Sequence, residues 1–487
     1  MTGTFGFELG FGRSSSGRQR RPESPMKILY LGDYAADAPL RQLAERPPQP
    51  LDIDVFDTVM AQLQPTLGRF ELTFRSIDDF HPDELLRTGW FADLVGLRSR
   101  LAQPGTFAEA AGELRNLLGS AAPTASDAKQ PQQPQQPQAA AAEEDSTFAR
   151  LLNQDSAPVS RRATTPNLKI EKLLQEAVAP FLEPDASPDQ AQLLAAVDKL
   201  LSMRLREVLH DPQFQALEAA WRWLEETVRR VDASASLKLA VLPVARAELA
   251  ADPAVLGGEL TRSALYETLM TRQADAVGEE PWTYLVADYR FGTTDEDIRV
   301  LAYLSALASE AGAQLITGAT ADLAGCPELA DLNAPERWLQ PDDPSLEAWQ
   351  ALRRSGLGQT IIAALPRILT RYPYGRKLNP VEFGFEELDD SAAPCLWGNA
   401  AYGCAIAVAQ AFSEDGWAMD TAAHASLDDL PMWQIDEDGT STVQPTTEAG
   451  LGESAAAALI ERGLTPVCPV RGTNEARIFG LHTAAEG

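Results

Sequence analysis

The sequence predicts an α/β fold (α+β in its local pairing), with mixed sheets covered by helices. Short apolar runs typical of strands buried on both faces alternate with longer amphipathic segments typical of helices. The clearest runs are LKLAVLPV, WTYLVADYRF and AQLITGA. With 487 residues, 45% of them hydrophobic, the chain can build sizeable cores in two or three domains.

The first element is an alternating strand. Phe5, Phe7, Leu9 and Phe11 are separated by Gly or Glu, which gives period-2 patterning with one apolar face. An isolated strand leaves its backbone unpaired, so this one needs a partner sheet. The spacer that follows can extend over about 40 Å, at ~3.3 Å per residue for about a dozen residues. The strand therefore either links to a neighbouring subunit or completes a sheet in its own chain.

The next block predicts a strand in KILYLGDY, a helix from about Val55 to Pro65, a strand from Phe70 to Phe74 and a helix near Pro82. Three carboxylates at this strand-to-helix junction allow two interpretations. They form a metal cluster, or they cap free helix amides and favour the helix dipole, and capping is the better fit. The three are Asp78, Asp79 and Asp83.

A Pro/Gln/Ala tract separates this block from the rest of the chain. Residues 119–145 contain KQPQQPQQPQAAAAEED, which offers few apolar groups to bury, and we expect a disordered interdomain linker. A short amphipathic piece with Phe148, Leu151 and Leu152 follows it. The domains expected are therefore 1–118, the linker 119–145, and 146–487.

The centre of the third segment is a helix that starts at Asp211. Its carboxylate can cap the next turn, and Pro212 suits the first helical position. Large apolar side chains then recur at spacings of 3, 4 and 3 and predict a buried core helix. They are Phe214, Leu217, Trp221 and Leu224. A second helix, capped by Ser187, precedes it.

Farther on, TIIAALPRIL predicts one strand, and the uncharged Cys395–Ser413 predicts a buried helix. The Ala- and Gly-rich composition of that helix argues against a membrane span. A basic group lies between these two segments. It reads either as a solvated loop or as a patch that pairs with acidic surfaces of neighbouring subunits. Its members are Arg367, Arg371, Arg376 and Lys377.

Two stretches carry a family resemblance. HDPQFQALEAAWRWL resembles a helix of the large subunit of the type VI secretion contractile sheath (TssC/VipB-like), and DYRF, LPRIL, LWGNAA and the RGT near residue 472 follow in the same order as in that family. The block from Phe56 to Pro82, with its SIDDF motif, resembles the small subunit (TssB/VipA-like) of the same sheath. The chain is thus similar to two subunits fused into one.

This resemblance implies a contractile tail-sheath-like fold and a structural role. The chain would self-assemble into a tube around an inner tube protein (Hcp-like), on baseplate components. Phe148, Leu151 and Leu152 would occupy the place of the helix that an AAA+ unfoldase (ClpV-like) recognises. The resemblance ends near Phe479, before the family's usual C-terminal domain. The alternative function is therefore a non-contractile accessory or baseplate-associated paralogue.

Other function classes find little support. A net charge of −29 repels nucleic acid and anionic membranes, and no phosphate-binding, nucleophile-elbow or zinc-protease motif is present. The four histidines are scattered, so we expect no metal, no cofactor and no catalysis, although an enzyme with an unrecognised site stays a third interpretation. Four cysteines without a C-x-x-C pair, and no visible signal peptide, favour the cytoplasm.

Overall fold

The computed structural model describes residues 24–119, 190–252, 254–271, 280–376, 379–388, 395–423, 425–432, 434–437 and 440–486. They divide into two compact units, within the bounds Met1–Ala92 plus Arg204–Gly487 and Asp93–Met203. The strand at Phe5–Phe11, the linker, the cap at Ser187 and the segment with Phe148, Leu151 and Leu152 lie outside the described residues.

The strands, in chain order, are β1 Met26–Gly32, β2 Gln49–Leu51, β3 Thr66–Leu67, β4 Leu72–Thr73, β5 Leu237–Pro243, β6 Tyr284–Phe291, β7 Gln314–Ala319, β8 Ile361–Leu365, β9 Ile368–Leu369, β10 Trp397–Gly398, β11 Ala425–Leu427, β12 Gln434–Glu437, β13 Thr440–Val443, β14 Thr465–Pro469 and β15 Ala476–Ile478. Nine of them form one mixed sheet in the order β11-β15-β14-β8-β7-β6-β1-β5-β2.

The helices are α1 Phe56–Leu63, α2 Pro82–Leu85, α3 Gly89–Ala102, α4 Phe107–Gly119, α5 Gln190–Leu209, α6 Pro212–Arg230, α7 Arg246–Ala250, α8 Ala264–Tyr266, α9 Asp295–Ala311, α10 Glu347–Arg354, α11 Ala400–Asp415 and α12 Glu453–Glu461. Along the described ranges, none of the helices combines the length and the apolar character needed to cross a bilayer. The prediction of a buried helix at Cys395–Ser413 is confirmed from Ala400 onward, where the largely buried α11 begins, whereas Trp397–Gly398 form β10.

The centre of the large sheet is a run of parallel strands with β1 inside it. β1 is parallel to β5 over seven paired positions, from Met26 opposite Leu237 to Gly32 opposite Pro243, and it pairs with β6 on its other side. All seven β1 residues are buried. The N-terminal segment, residues 24–92, and the later strands therefore share one sheet.

Helices cover both faces of this sheet. Leu29 and Leu31 of β1 belong to the core cluster that contains the buried face of α9. Because side chains alternate along a strand, Ile28 and Tyr30 point to the opposite face, where the Tyr30 ring stacks on Tyr402 of α11 at 5.8 Å between centroids. The mixed α/β architecture with covering helices is the one that the sequence predicts.

Two strand predictions were wrong in detail. Only Leu72–Thr73 of the predicted strand Phe70–Phe74 is extended, because Glu71 lies in the left-handed region with φ 54° and ends a 3-10 turn. TIIAALPRIL forms two strands, β8 in the large sheet and β9 in a separate pair with β10. Pro366 lacks a backbone N–H, so the ladder is interrupted between them.

The unit Asp93–Met203 has its own helical core. Leu97, Leu101, Leu114, Leu193 and Val197 are buried there. Around them, Arg98 pairs with Asp198, Arg100 pairs with Glu113 at 2.5 Å, and the Gln190 side-chain amide donates to the Leu101 carbonyl at 2.7 Å. Packing between α3, α4 and the first half of α5 thus accounts for this unit.

Candidate functional site: the joint around helix α6

Helix α6 begins where the sequence predicts. Asp211 Oδ1 accepts hydrogen bonds from the amides of Gln213 at 3.0 Å and Phe214 at 3.2 Å, and Pro212 occupies the first turn. The other carboxylate oxygen accepts from Arg69 Nη1 at 2.6 Å. The capping residue of α6 is therefore also an ion-pair partner of the N-terminal segment.

The apolar stripe of α6 is covered by aromatic rings of the N-terminal segment. Phe214, Leu217, Trp221 and Leu224 are all buried. Phe214 packs edge-on against Phe74 and Phe80, which stack on each other at 4.2 Å between centroids. Since aromatic pairs add to the free energy gained by burial, this cluster is a strong attachment between the two stretches of chain.

Trp221 makes the second half of this attachment. Its indole Nε1 donates to the Tyr34 carbonyl at 3.0 Å, and its ring meets Tyr34 and Phe56 edge-on, with centroids 6.0 and 5.8 Å away. Trp221 is fully buried. One residue of α6 therefore contacts the turn after β1 and the start of α1 at once.

Tyr34 also belongs to a series of buried side-chain hydrogen bonds. The hydroxyls of Tyr34 and Tyr402 are 3.0 Å apart, and the Tyr402 hydroxyl donates to Asp288 Oδ2 at 3.0 Å. Burial raises the pKa of Asp288 to about 6 from its ordinary value near 3.8, and the hydrogen bond from Tyr402 only partly offsets this. These hydrogen bonds join Tyr34 of the N-terminal segment to Asp288 of β6 and Tyr402 of α11.

This raised pKa predicts a pH dependence. A carboxyl group whose pKa is raised in the folded state holds its proton more tightly there than in the unfolded state. Its contribution to the free energy of unfolding is fully present below about pH 4 and is lost as the pH rises through about 6. Asp288→Asn should therefore raise the free energy of unfolding relative to wild type above pH 6, by up to ~3 kcal/mol, and change it less at pH 4.5. Urea unfolding at both pH values measures this. Asp54→Asn, at an exposed position, is the control, and its difference from wild type in the free energy of unfolding should not depend on pH in this way.

One turn after Phe214, next to the apolar stripe of α6, lies a buried ion network. The Arg371 guanidinium binds Glu218 (Nε–Oε1 2.7 Å, Nη2–Oε2 3.2 Å) and Glu387 (Nη1–Oε2 2.7 Å, Nη2–Oε1 3.0 Å). Arg222 Nε also donates to Glu218, at 2.8 Å, and Glu387 accepts from the Tyr374 amide at 2.7 Å. Both carboxylates and Arg371 are buried, so each charge relies on the others.

The electrostatics of this network favour the ionised forms of Glu218 and Arg371. Burial alone would raise the pKa of Glu218, but the charges of Arg371 and Arg222 outweigh it and lower that pKa. Burial would likewise lower the pKa of Arg371, but Glu218 and Glu387 outweigh it and raise that pKa well above its ordinary value. The N-terminal segment reaches this region too, since His81 packs edge-on against Tyr374 with centroids 5.1 Å apart.

The basic group of the sequence analysis is therefore not one surface patch. Arg371 is buried, Arg367 Nε pairs with Glu448 at 2.7 Å, and Arg376 is exposed, while Lys377 lies outside the described residues. The prediction of a solvated loop or an intersubunit patch was wrong for Arg371, because two carboxylates of its own chain reach it. A hint in the sequence was Glu218 beside Leu217, with Arg222 one turn later.

At the acidic junction, the predicted capping is confirmed for Asp79, whereas the Asp83 carboxylate accepts from the Glu382 amide at 3.1 Å. Asp79 accepts from the Ser76 amide at 3.0 Å and forms a capping box with it. His81 caps α2 by accepting from the Asp83 amide at 3.2 Å. Within the described ranges, no three His, Cys, Asp or Glu side chains are grouped closely enough to hold a metal ion.

The comparisons with known proteins assign this fold. Residues 191–485 match the family described as VipB: EvpB/VC_A0108, tail sheath N-terminal domain. The chain belongs to this tail sheath family. It is also 28% identical to the "Type VI secretion system sheath protein TssC1" of Pseudomonas aeruginosa over 355 residues, which is 70% of this chain and 71% of the relative.

The tail sheath match begins after β1, α1 and the aromatic residues that cover α6. Its strands β5 and β6 are nevertheless separated by β1 in the sheet. The tail sheath domain of this chain therefore takes a central strand and part of its core from residues that precede the match. The joint around α6 is where the two stretches meet.

Proposed function

We propose that this chain is a sheath protomer of a type VI secretion apparatus, with small-subunit and large-subunit parts in one polypeptide. The tail sheath family and the similarity to a protein named as such a sheath protein support the large-subunit part. The observation that carries the fusion is β1, which fills the position between β5 and β6 from outside the family match.

The fusion gives this arrangement a physical advantage. A separate small subunit would have to find its partner at the cost of translational and rotational entropy. A linker between residues 119 and 145 instead fixes a one-to-one ratio and keeps the two parts at millimolar effective concentration. Each protomer that enters an assembly then carries its own β1.

The proposed role is mechanical, without catalysis or cofactor. Self-assembly into a sheath is the role implied by the family. Contacts with an inner tube protein (Hcp-like), with baseplate components and with an AAA+ unfoldase (ClpV-like) belong to this proposal, as does assembly in the cytoplasm. The charge of −29 supports protein partners with basic surfaces over nucleic acid or anionic lipid.

Electron microscopy of the purified chain tests the proposal. Long tubes with a regular helical repeat are expected. Isolated rings, caps or monomers at every concentration and salt condition would contradict a sheath protomer, and would favour the accessory paralogue instead.

Deleting Met1–Gly12 should separate folding from assembly. We expect a monomer with the wild-type melting temperature, because β1 and the joint around α6 are untouched, but no tubes, because the strand at Phe5–Phe11 is proposed to pair with a neighbouring subunit. Calorimetry and electron microscopy measure the two properties. A deletion variant that still forms tubes, or that unfolds, rules out the linking strand.

Cutting the linker should leave the two parts together. A protease site placed within Gln130–Gln138 should give two fragments that elute as one species, because β1 pairs on both sides and the aromatic rings cover α6. Size-exclusion chromatography measures this. As the control for complete cleavage, the digested sample is unfolded in ~6–8 M urea and should then give two separate fragments. Separate elution without urea would disprove intramolecular pairing.

A further inference from the structure

A groove lies at the end of the large sheet, beside the edge strand β11. It is bounded by the last turns of α11, by β11 and by the segment that follows β15, and has a volume of about 310 Å³. Its lining mixes polar and apolar atoms, and the partly exposed apolar side chains include Ala411 and Leu481. A groove of this kind beside a free strand edge suits an extended peptide.

The rim of the groove is acidic. Glu414, Asp415 and Asp420 line it and are exposed. In the part of the chain that the structure describes, no basic side chain pairs with any of the three, and Asp420 accepts a hydrogen bond from the Ala422 amide at 2.9 Å. The occupant that fits these charges is a positively charged segment whose aliphatic side-chain stems contact Ala411 and Leu481.

Ser24, the first residue that the structure describes, lies beside Trp417, which is close in sequence to the acidic rim. The Ser24 carbonyl accepts a hydrogen bond from Trp417 Nε1 at 2.8 Å, and Trp417 lies between Asp415 and Asp420 in the chain. Trp417 also packs edge-on against Phe412, with centroids 5.0 Å apart. Ser24 itself is 6% exposed, and its Oγ finds no hydrogen-bond partner among the described residues.

The residues just before Ser24 have the required chemistry. Arg18, Arg20 and Arg21 precede it by three to six positions, and Arg13 lies farther out. At ~3.3 Å per residue, the three nearer arginines are confined to within roughly 10–20 Å of Ser24. So short a tether gives them an effective concentration of millimolar order at the rim, which favours them over the same segment of another molecule.

We propose that this groove binds the arginine-rich segment Arg13–Arg21 of the same molecule. The guanidinium groups pair with Glu414, Asp415 and Asp420, and their methylene stems lie against Ala411 and Leu481. This goes beyond the proposed sheath function and can be tested on the monomer.

Hydrogen exchange of the full-length chain, followed on the peptide that covers residues 13–23, tests this. We expect the wild type to exchange roughly tenfold more slowly there than the triple variant Glu414→Lys, Asp415→Lys and Asp420→Lys. The matched control carries the same charge change at distant exposed acids, Glu259→Lys, Glu310→Lys and Asp342→Lys, and should exchange like the wild type. Adding Arg18→Glu, Arg20→Glu and Arg21→Glu to the first triple variant should restore the protection.

The rim carboxylates are exposed, so unchanged melting temperatures should accompany these results. Equal exchange in the wild type and the rim variant would overturn the proposal. Protection that falls on dilution would also overturn it, because the groove would then bind the segment of a second copy. A control variant that loses protection as the rim variant does would reduce the effect to net charge and overturn it as well.

Discussion

Arg371→Met is expected to lower the free energy of unfolding by about 3–5 kcal/mol. The variant removes the cation that binds Glu218 and Glu387 and leaves two buried carboxylates with too little positive charge. Arg222 still reaches Glu218, so the greater penalty falls on Glu387, which is 1% exposed. Urea unfolding at neutral pH measures the loss.

Two further variants separate the charge from the packing. Combining Arg371→Met with Glu387→Gln should recover much of the stability, because Glu218 still pairs with Arg222 and no uncompensated charge then stays buried. Arg376→Met is the matched control, because that side chain is 74% exposed and its pair with Glu386 spans 3.9 Å. It should change the stability by less than about 0.5 kcal/mol. A control loss as large as that of Arg371→Met would contradict the importance of the network.

Trp221→Ala is the second large effect, with an expected loss of about 3–5 kcal/mol. The variant leaves a cavity at a fully buried position, removes two edge-on aromatic contacts and leaves the Tyr34 carbonyl without its donor. Because all three contacts are to the N-terminal segment, the linker-cut form of this variant should also dissociate more readily than the linker-cut wild type.

Trp221→Phe grades this prediction. The phenyl ring keeps most of the apolar area but cannot donate to the Tyr34 carbonyl, so the loss should be smaller, about 1–2 kcal/mol from the missing hydrogen bond. Chemical unfolding and chromatography of the cut protein give the two readouts. If Trp221→Ala costs less than Trp221→Phe, the indole does not hold the joint in the way described.

The predictions that succeeded depend on local chemistry. The start of α6 follows from an Asp–Pro pair, and the burial of α11 follows from sixteen residues that carry charge only at the end of the helix. Capping by Asp79 is also local, since donor and acceptor are a few residues apart. Propensity and periodicity describe such short-range geometry well.

The features that the sequence did not predict, or predicted wrongly, depend on contacts between distant residues. KILYLGDY reads as a buried strand, but nothing in its pattern names β5 and β6 as neighbours. The sequence suggests a surface position for Arg371. Its partners are Glu218, 153 residues earlier in α6, and Glu387, 16 residues later, and no local pattern links them to it. The split of β8 from β9 was available from Pro366, which the apolar run around it obscured.

The central position of β1 has a consequence for biosynthesis. β1 leaves the ribosome long before the strands on either side of it, since Met26 pairs with Leu237 and Ile28 with Tyr284. At about 5–20 residues per second, translation needs roughly 10–50 s to supply both partners. During that time ILYL is an uncovered apolar strand, the kind of segment that aggregates or recruits a chaperone. Its waiting time ends with the translation of β6, because both neighbours arrive on the same nascent chain.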